Sequence, residues 1–167
     1  MAVVNDSSMV AVVRSQGVGF TQSWSHDGGH HWLPGEPSSV AGASSKPALA
    51  SWEPAVASAA AATRGDSGDS GTEAKTRHLA LAYNVRTREQ MALSTSTDGG
   101  VSWQYYATLD TGKLSPGSPH ETSDAYPTVV LSGKELLTAW STYGSGGGSG
   151  GGGYNTIKLA RTALPQL

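Results

Sequence analysis

The chain has 167 residues, 37% hydrophobic and 14% charged, with a net charge of −2; with no Lys/Arg run either, its charge gives no reason to expect nucleic acid or an anionic membrane as partner. Cysteine is absent, which excludes a disulfide framework and a thiolate metal site and leaves the redox compartment open. No stretch of about 18 apolar residues appears, so no membrane span is expected, and a thin core must be built from five Trp, six Tyr, one Phe and a modest set of Leu, Val and Ile.

The elements expected along the chain are all strands. Met1 to Arg14 lacks a basic start and meets Asn5-Asp6 early, so it reads as two short strands around a turn rather than as a secretion signal. Met9 to Val13 is β-branched and too short for an ordinary helix. Phe20 to Trp24 leads into a turn at Asp27-Gly28-Gly29. Leu79 to Tyr83, Met91 to Thr95 and Trp103 to Thr108 form a second set; Tyr126 to Leu131, Glu135 to Ser141 and Thr156 to Ala160 form a third. Each is bounded by Gly, Pro, Asn, Asp or Ser, as antiparallel strands are.

Two segments have loop composition. Residues 55–76 are rich in Ala, Gly, Ser and Asp, and their Ala55 to Ala62 run has helix propensity but no amphipathic face. Residues 144–153 are nearly pure Gly and Ser. Strand-like sequence resumes on both sides of each, so both are expected to be flexible inserts.

One pattern occurs twice: Ser25-His-Asp27-Gly-Gly29-His-His-Trp32 and Ser96-Thr-Asp98-Gly-Gly100-Val-Ser-Trp103. Asp-Gly-Gly supplies residues that accept a positive φ in a tight turn. The Ser hydroxyl and Asp carboxylate can bond to turn backbone, and the Trp ring is expected to be largely buried beneath it. Ser25, Asp27, Gly29, Trp32, Ser96, Asp98, Gly100 and Trp103 are therefore read as structural, not catalytic. The two Asp residues lie 71 positions apart. Removing residues 55–76 brings that spacing near the roughly 40 to 50 residues of a four-stranded repeat.

This pattern resembles the Asp box of sialidases and related propellers. The resemblance implies an all-β fold, a partial six-bladed β-propeller of about two and a half blades with Asp-box hairpins, spanning residues 1–167 outside the two loops. His31 departs from the Thr or Ser usual before the Trp, which implies a weaker first hairpin. Val4 to Arg14 looks like the family's strand pair ending in an arginine, and Leu81-Ala-Tyr-Asn84 through Arg88 like a later blade with another. Ser123-Asp-Ala-Tyr126-Pro-Thr-Val-Val130 looks like the strand bringing in the catalytic tyrosine, with Pro127 where the family often has Ser. Ile157 to Ala160 looks like its closing strand.

By that resemblance Tyr126 is the candidate nucleophile, and Arg14 and Arg88 are candidates to bind the sugar carboxylate by the guanidinium fork. Such sialidases use a Tyr nucleophile in place of a carboxylate pair, with a Glu taking its proton. That Glu falls before Met1 by the count back from Arg14, and the acid/base Asp and the first arginine have no counterpart. Glu36, Glu53, Glu89 and Glu121 are present, but no motif places them in a site. Each candidate also has a structural reading, Arg14 and Arg88 as solvated strand-end charges and Tyr126 as a half-buried strand residue.

Other signals carry little. Gly65-Asp66-Ser67-Gly68 imitates a serine-protease nucleophile, and Arg64-Gly65-Asp66 an integrin tripeptide, both inside low-complexity sequence. His26, His30 and His31 surround the first turn, but the adjacent pair would point to opposite faces, so no metal and no cofactor is expected. Gly144 to Gly153 has no Lys and is no phosphate loop. The resemblance thus implies a sialidase-like glycoside hydrolase module of exo-α-sialidase type, releasing sialic acid from glycans, incomplete in this chain and expected to be inactive alone. Its partner would be a sialylated or other acidic glycan, with self-association through open sheet edges. The alternatives are a non-catalytic Asp-box propeller that binds glycan or protein, and a truncated gene product.

Overall fold

The structure is a computed structural model and describes residues 1–15, 19–42, 45–54, 76–85, 88, 90–111, 122–144 and 154–165. Residues 55–75 and 145–153, which hold nearly all of both expected inserts and the Ala run, lie outside the described residues. Gly144 is not part of a loop; it closes a strand, paired with Tyr154.

The described residues form strands and turns with no helix. The strands are β1 (Ala2–Val3), β2 (Met9–Arg14), β3 (Phe20–Ser25), β4 (Glu36–Pro37), β5 (Ala48–Trp52), β6 (His78–Asn84), β7 (Met91–Ser96), β8 (Gln104–Asp110), β9 (Thr122–Ser132), β10 (Glu135–Gly144) and β11 (Tyr154–Ala163). They make three antiparallel sheets: β1-β2-β3-β4, β5-β6-β7-β8 and β11-β10-β9. β4 and β5 were not expected from the sequence. β5 reads Ala-Leu-Ala-Ser-Trp, with no β-branched residue, and becomes a strand because β6 offers it a full register from Ala48↔Ala82 to Trp52↔His78.

The second sheet lies between the other two, and its sequence is fitted to both faces. Every residue of β7 and all of β6 after His78 is buried. Leu81, Tyr83 and Ala92 pack with Val12, Phe20 and Val40 of the first sheet's region, and Leu79 packs with Ala2, Val4 and Val10. The alternate residues Ala80 and Ala82, with Leu93, meet Val129 and Leu136 of the third sheet. Along β6 the large side chains Leu79, Leu81 and Tyr83 thus face the first sheet and the alanines Ala80 and Ala82 the third, where Trp52 and Leu93 fill the space.

The two Ser-x-Asp-Gly-Gly-x-x-Trp segments have matching geometry. Both glycines of each turn have positive φ: Gly28 70°, Gly29 95°, Gly99 73° and Gly100 91°. Ser25 Oγ donates to Asp27 Oδ1 (2.8 Å) and accepts from the Gly29 amide (2.8 Å). Ser96 Oγ does the same with Asp98 (2.7 Å) and Gly100 (2.9 Å). Asp27 accepts the His31 amide (2.9 Å), and Asp98 the Ser102 amide (3.0 Å). His31 leaves no gap, because its Nδ1 lies 2.5 Å from Asp27 Oδ2, where Ser102 Oγ lies 2.5 Å from Asp98 Oδ2.

Neither tryptophan is fully enclosed: Trp32 and Trp103 keep a minor part of their surface exposed, and Trp103 packs against the cores that join the first two sheets. Trp32 Nε1 donates to Gly29 O at 3.0 Å. Trp103 Nε1 reaches Gln22 Oε1 of the first sheet at 3.4 Å, and Trp24 Nε1 donates to Gly99 O of the second at 3.0 Å. The turns therefore tie the first two sheets to each other.

Candidate functional site

Strand register decides which candidate residues share an end of the molecule. In the first sheet Met9 pairs with Ser25 at the end where the Asp27 turn leaves, and Arg14 pairs with Phe20 at the other. In the second, Leu79 pairs with Ser96 at the Asp98 turn, and Asn84 pairs with Met91 at the opposite end, next to Arg88. The Trp24 bond to Gly99 and the Arg77 amide bond to Val4 O (2.7 Å) bring the turn ends of these two sheets together. At the far end the Asp124 amide donates to Arg88 O at 2.5 Å, which sets the start of β9 beside Arg88. Arg14, Arg88 and Tyr126 thus lie at one end, separated from both Asp-Gly-Gly turns by about a strand length, roughly 20 Å.

Two of the three meet directly: the Arg88 guanidinium carbon lies 6.0 Å from the Tyr126 ring centroid, over its face, a cation–π arrangement worth about 0.5–1 kcal/mol at an exposed site. Arg88 is half-buried, and Arg14 is exposed at the end of β2.

Tyr126 is 54% exposed between buried Ala125 and Pro127. The cause is a bulge. Thr128 pairs with Ala139 and Ala125 with Ser141, so Tyr126 and Pro127 together oppose Trp140. Tyr126 absorbs the extra residue with φ 54°, the one non-glycine residue of positive φ among those described. Left-handed backbone disfavours a side chain by about 1–2 kcal/mol, and a residue before proline is ordinarily extended. Bulges re-aim side chains, and here the one aimed outward is a tyrosine beneath a guanidinium.

Two residues before Tyr126 is a buried polar group that sequence reasoning missed. Asp124 is fully buried opposite Thr142, whose Oγ1 donates to Asp124 Oδ1 at 2.8 Å. Burial, then the nearby Asp110 carboxylate, pushes its pKa up to about 6, against the Thr142 bond and Lys158. Asp is depleted in strands, and its place among small residues in Ser123-Asp-Ala was the available signal. The Asp residues of the two turns behave oppositely. Backbone and ring bonds from His31 hold Asp27 far below the usual range. At Asp98 burial raises the carboxyl, but bonds from Ser102 and Ser96 outweigh it and hold it low. Their oxygens are committed to turn bonds.

Among the described residues no group of three or more His, Asp or Glu could hold a metal ion, and His26 Nδ1 lies instead 3.2 Å from Ser8 Oγ. No helix there is long and apolar enough to cross a membrane.

The family model of the BNR repeat-like domain matches residues 1–138. The chain belongs to this family. The match takes in both Asp-Gly-Gly turns, Arg14, Arg88 and Tyr126, and ends within β10 of the BNR repeat-like fold. No curated protein matches the chain.

Proposed function

We propose that the three sheets are successive blades of a partial six-bladed propeller of sialidase type, nearly three blades rather than two and a half. In this reading the two turns are its Asp boxes, and the end bearing Arg14, Arg88 and Tyr126 is part of a site for an acidic sugar. The observation that carries it is the Arg88 guanidinium 6.0 Å over the ring of Tyr126, a strained, outward-aimed tyrosine, at the end opposite both turns. Arg88 and Arg14 would bind the carboxylate of sialic acid, each charge-assisted bond contributing about 1.5–3 kcal/mol. Tyr126 would be the nucleophile of an exo-sialidase, a neutral phenol that an anionic sugar does not repel.

The chain offers no match for the family's Glu, acid/base Asp and first arginine, so binding without turnover is expected of it alone. Titration of N-acetylneuraminic acid into the ¹⁵N-labelled chain should give weak, saturable shifts near Arg88 and Tyr126. Those shifts should be absent in Arg88→Ala and with neutral galactose, and a fluorogenic sialoside should not be hydrolysed. Absence of binding would leave the non-catalytic propeller as the better reading. Turnover abolished by Tyr126→Phe would mean that the chain holds a complete site.

A further inference from the structure

The start of β9 is fastened to three other elements through one residue. The Asp124 amide holds the Arg88 carbonyl, and its Oδ1 accepts from Thr142 of β10. Its Oδ2 is buried with no hydrogen-bond partner. The Asp110 carboxylate, from β8, is near enough to the Asp124 side chain to act on its charge. Lys158 of β11 forms an ion pair with Asp110. This junction of the second and third sheets therefore holds two carboxyl groups and one ammonium. The Asp110 side chain is 11% exposed and Asp124 is not exposed at all. A second, uncompensated negative charge is costly in such a place. Lys158 neutralises Asp110, and the donor missing between the two carboxyl groups is a proton.

We propose that Asp124, in its protonated form, is the positioning residue of the Arg88–Tyr126 pair, fastening the Arg88 segment to the strand that carries Tyr126. It rests on the reading of that pair as a binding site, but its geometry does not require a ligand. With the proton present, Asp124 bonds to Asp110 and to Thr142, and β9 lies close enough for its amide to hold the Arg88 carbonyl. Without it, two facing carboxylates share one Lys158, β9 is pushed off Asp110, and the guanidinium loses its seat over the ring.

The direction with pH follows from linkage. A carboxyl raised from 3.8 to about 6 on folding contributes stability that is fully present below about pH 4 and is lost as pH rises through about 6. The charged and polar groups facing it are Asp110, Lys158 and Thr142.

The test follows the Arg88 side-chain resonance and the Tyr126 ring protons by NMR from pH 4.5 to 8, with Tm measured alongside and no ligand present. In the unaltered chain both should move in one transition with a midpoint near pH 6. In Asp124→Asn, where Oδ1 still accepts from Thr142 and the amide donates to Asp110, both should stay at their low-pH positions throughout. In Asp110→Asn, which removes the facing charge and leaves Lys158 for Asp124, the midpoint should fall toward the ordinary carboxylate range. A flat response in the unaltered chain, or the same transition in Asp124→Asn, overturns the proposal. Should Asp124→Asn fail to fold, an unmoved midpoint in Asp110→Asn overturns it equally. Sialic-acid binding with no such transition would refute this role and leave the site reading standing; the transition without sugar binding would do the reverse.

Discussion

Replacing Tyr126 by glycine and, separately, by alanine isolates the backbone strain at the bulge. Both variants lose the same ring and the same Arg88 contact, so those losses cancel and the backbone difference remains. On an ordinary strand alanine is more stable than glycine by about 0.5–1 kcal/mol. At a φ of 54° the order inverts, because a Cβ there clashes with the backbone by about 1–2 kcal/mol and glycine has none. Tyr126→Gly should therefore exceed Tyr126→Ala by about 1 kcal/mol, or about 2–4 °C in Tm for a chain of this size. Urea unfolding followed by Trp fluorescence, with equal m-values for the two variants, measures the gap. Thr128, exposed on the same strand and without a positive φ, supplies the control pair, where alanine should equal or exceed glycine. If Tyr126→Ala is as stable as Tyr126→Gly, the strain is not there and the bulge does not hold the tyrosine by force.

Three further outcomes are expected. Trp103→Ala should destabilise by about 2–3 kcal/mol, below the range for a fully buried ring because Trp103 keeps a minor part of its surface exposed, and urea unfolding measures it. Stability should also fall as pH drops below about 4, since Asp27 and Asp98 are held low when folded; in thermal scans His31→Ala, which lets the Asp27 carboxyl rise toward its ordinary value, should lower stability above pH 4 and so shrink that loss, and His31→Ser should restore both. The open edge at β11 exposes Ile157 (74%) and Leu159 (64%), so the chain should self-associate in sedimentation runs and Ile157→Lys with Leu159→Lys should reduce it.

The repeated motif was legible because its physics is local: two glycines, one serine, one aspartate and one tryptophan act within eight residues. Two strands of the second sheet were legible because β6 carries the apolar run Leu-Ala-Leu-Ala-Tyr and β7 opens with Met-Ala-Leu before its buried Ser-Thr-Ser. β5 was not, since Ala-Leu-Ala-Ser-Trp carries no strand signal until β6 pairs with it. The reach of β9 back to Thr122 was hidden for the same reason, as pairing with β10 makes Ser123 and Asp124 a strand. Tyr126 was singled out only by resemblance, and its outward aim depends on a bulge opposite Trp140, fourteen residues away. Asp124 was the deepest miss: its importance arises from Asp110, Thr142 and Lys158, which only the packing of two sheets brings together.

A crystal structure of the chain soaked with N-acetylneuraminic acid tests the central claim most directly. The account predicts the sugar carboxylate within hydrogen-bonding distance of the Arg88 guanidinium, with Arg14 on the same face and the sugar ring against Tyr126. Sugar bound at the Asp27 or Asp98 turn instead, or Arg14 and Arg88 directed to separate faces with the Tyr126 end empty, would contradict it.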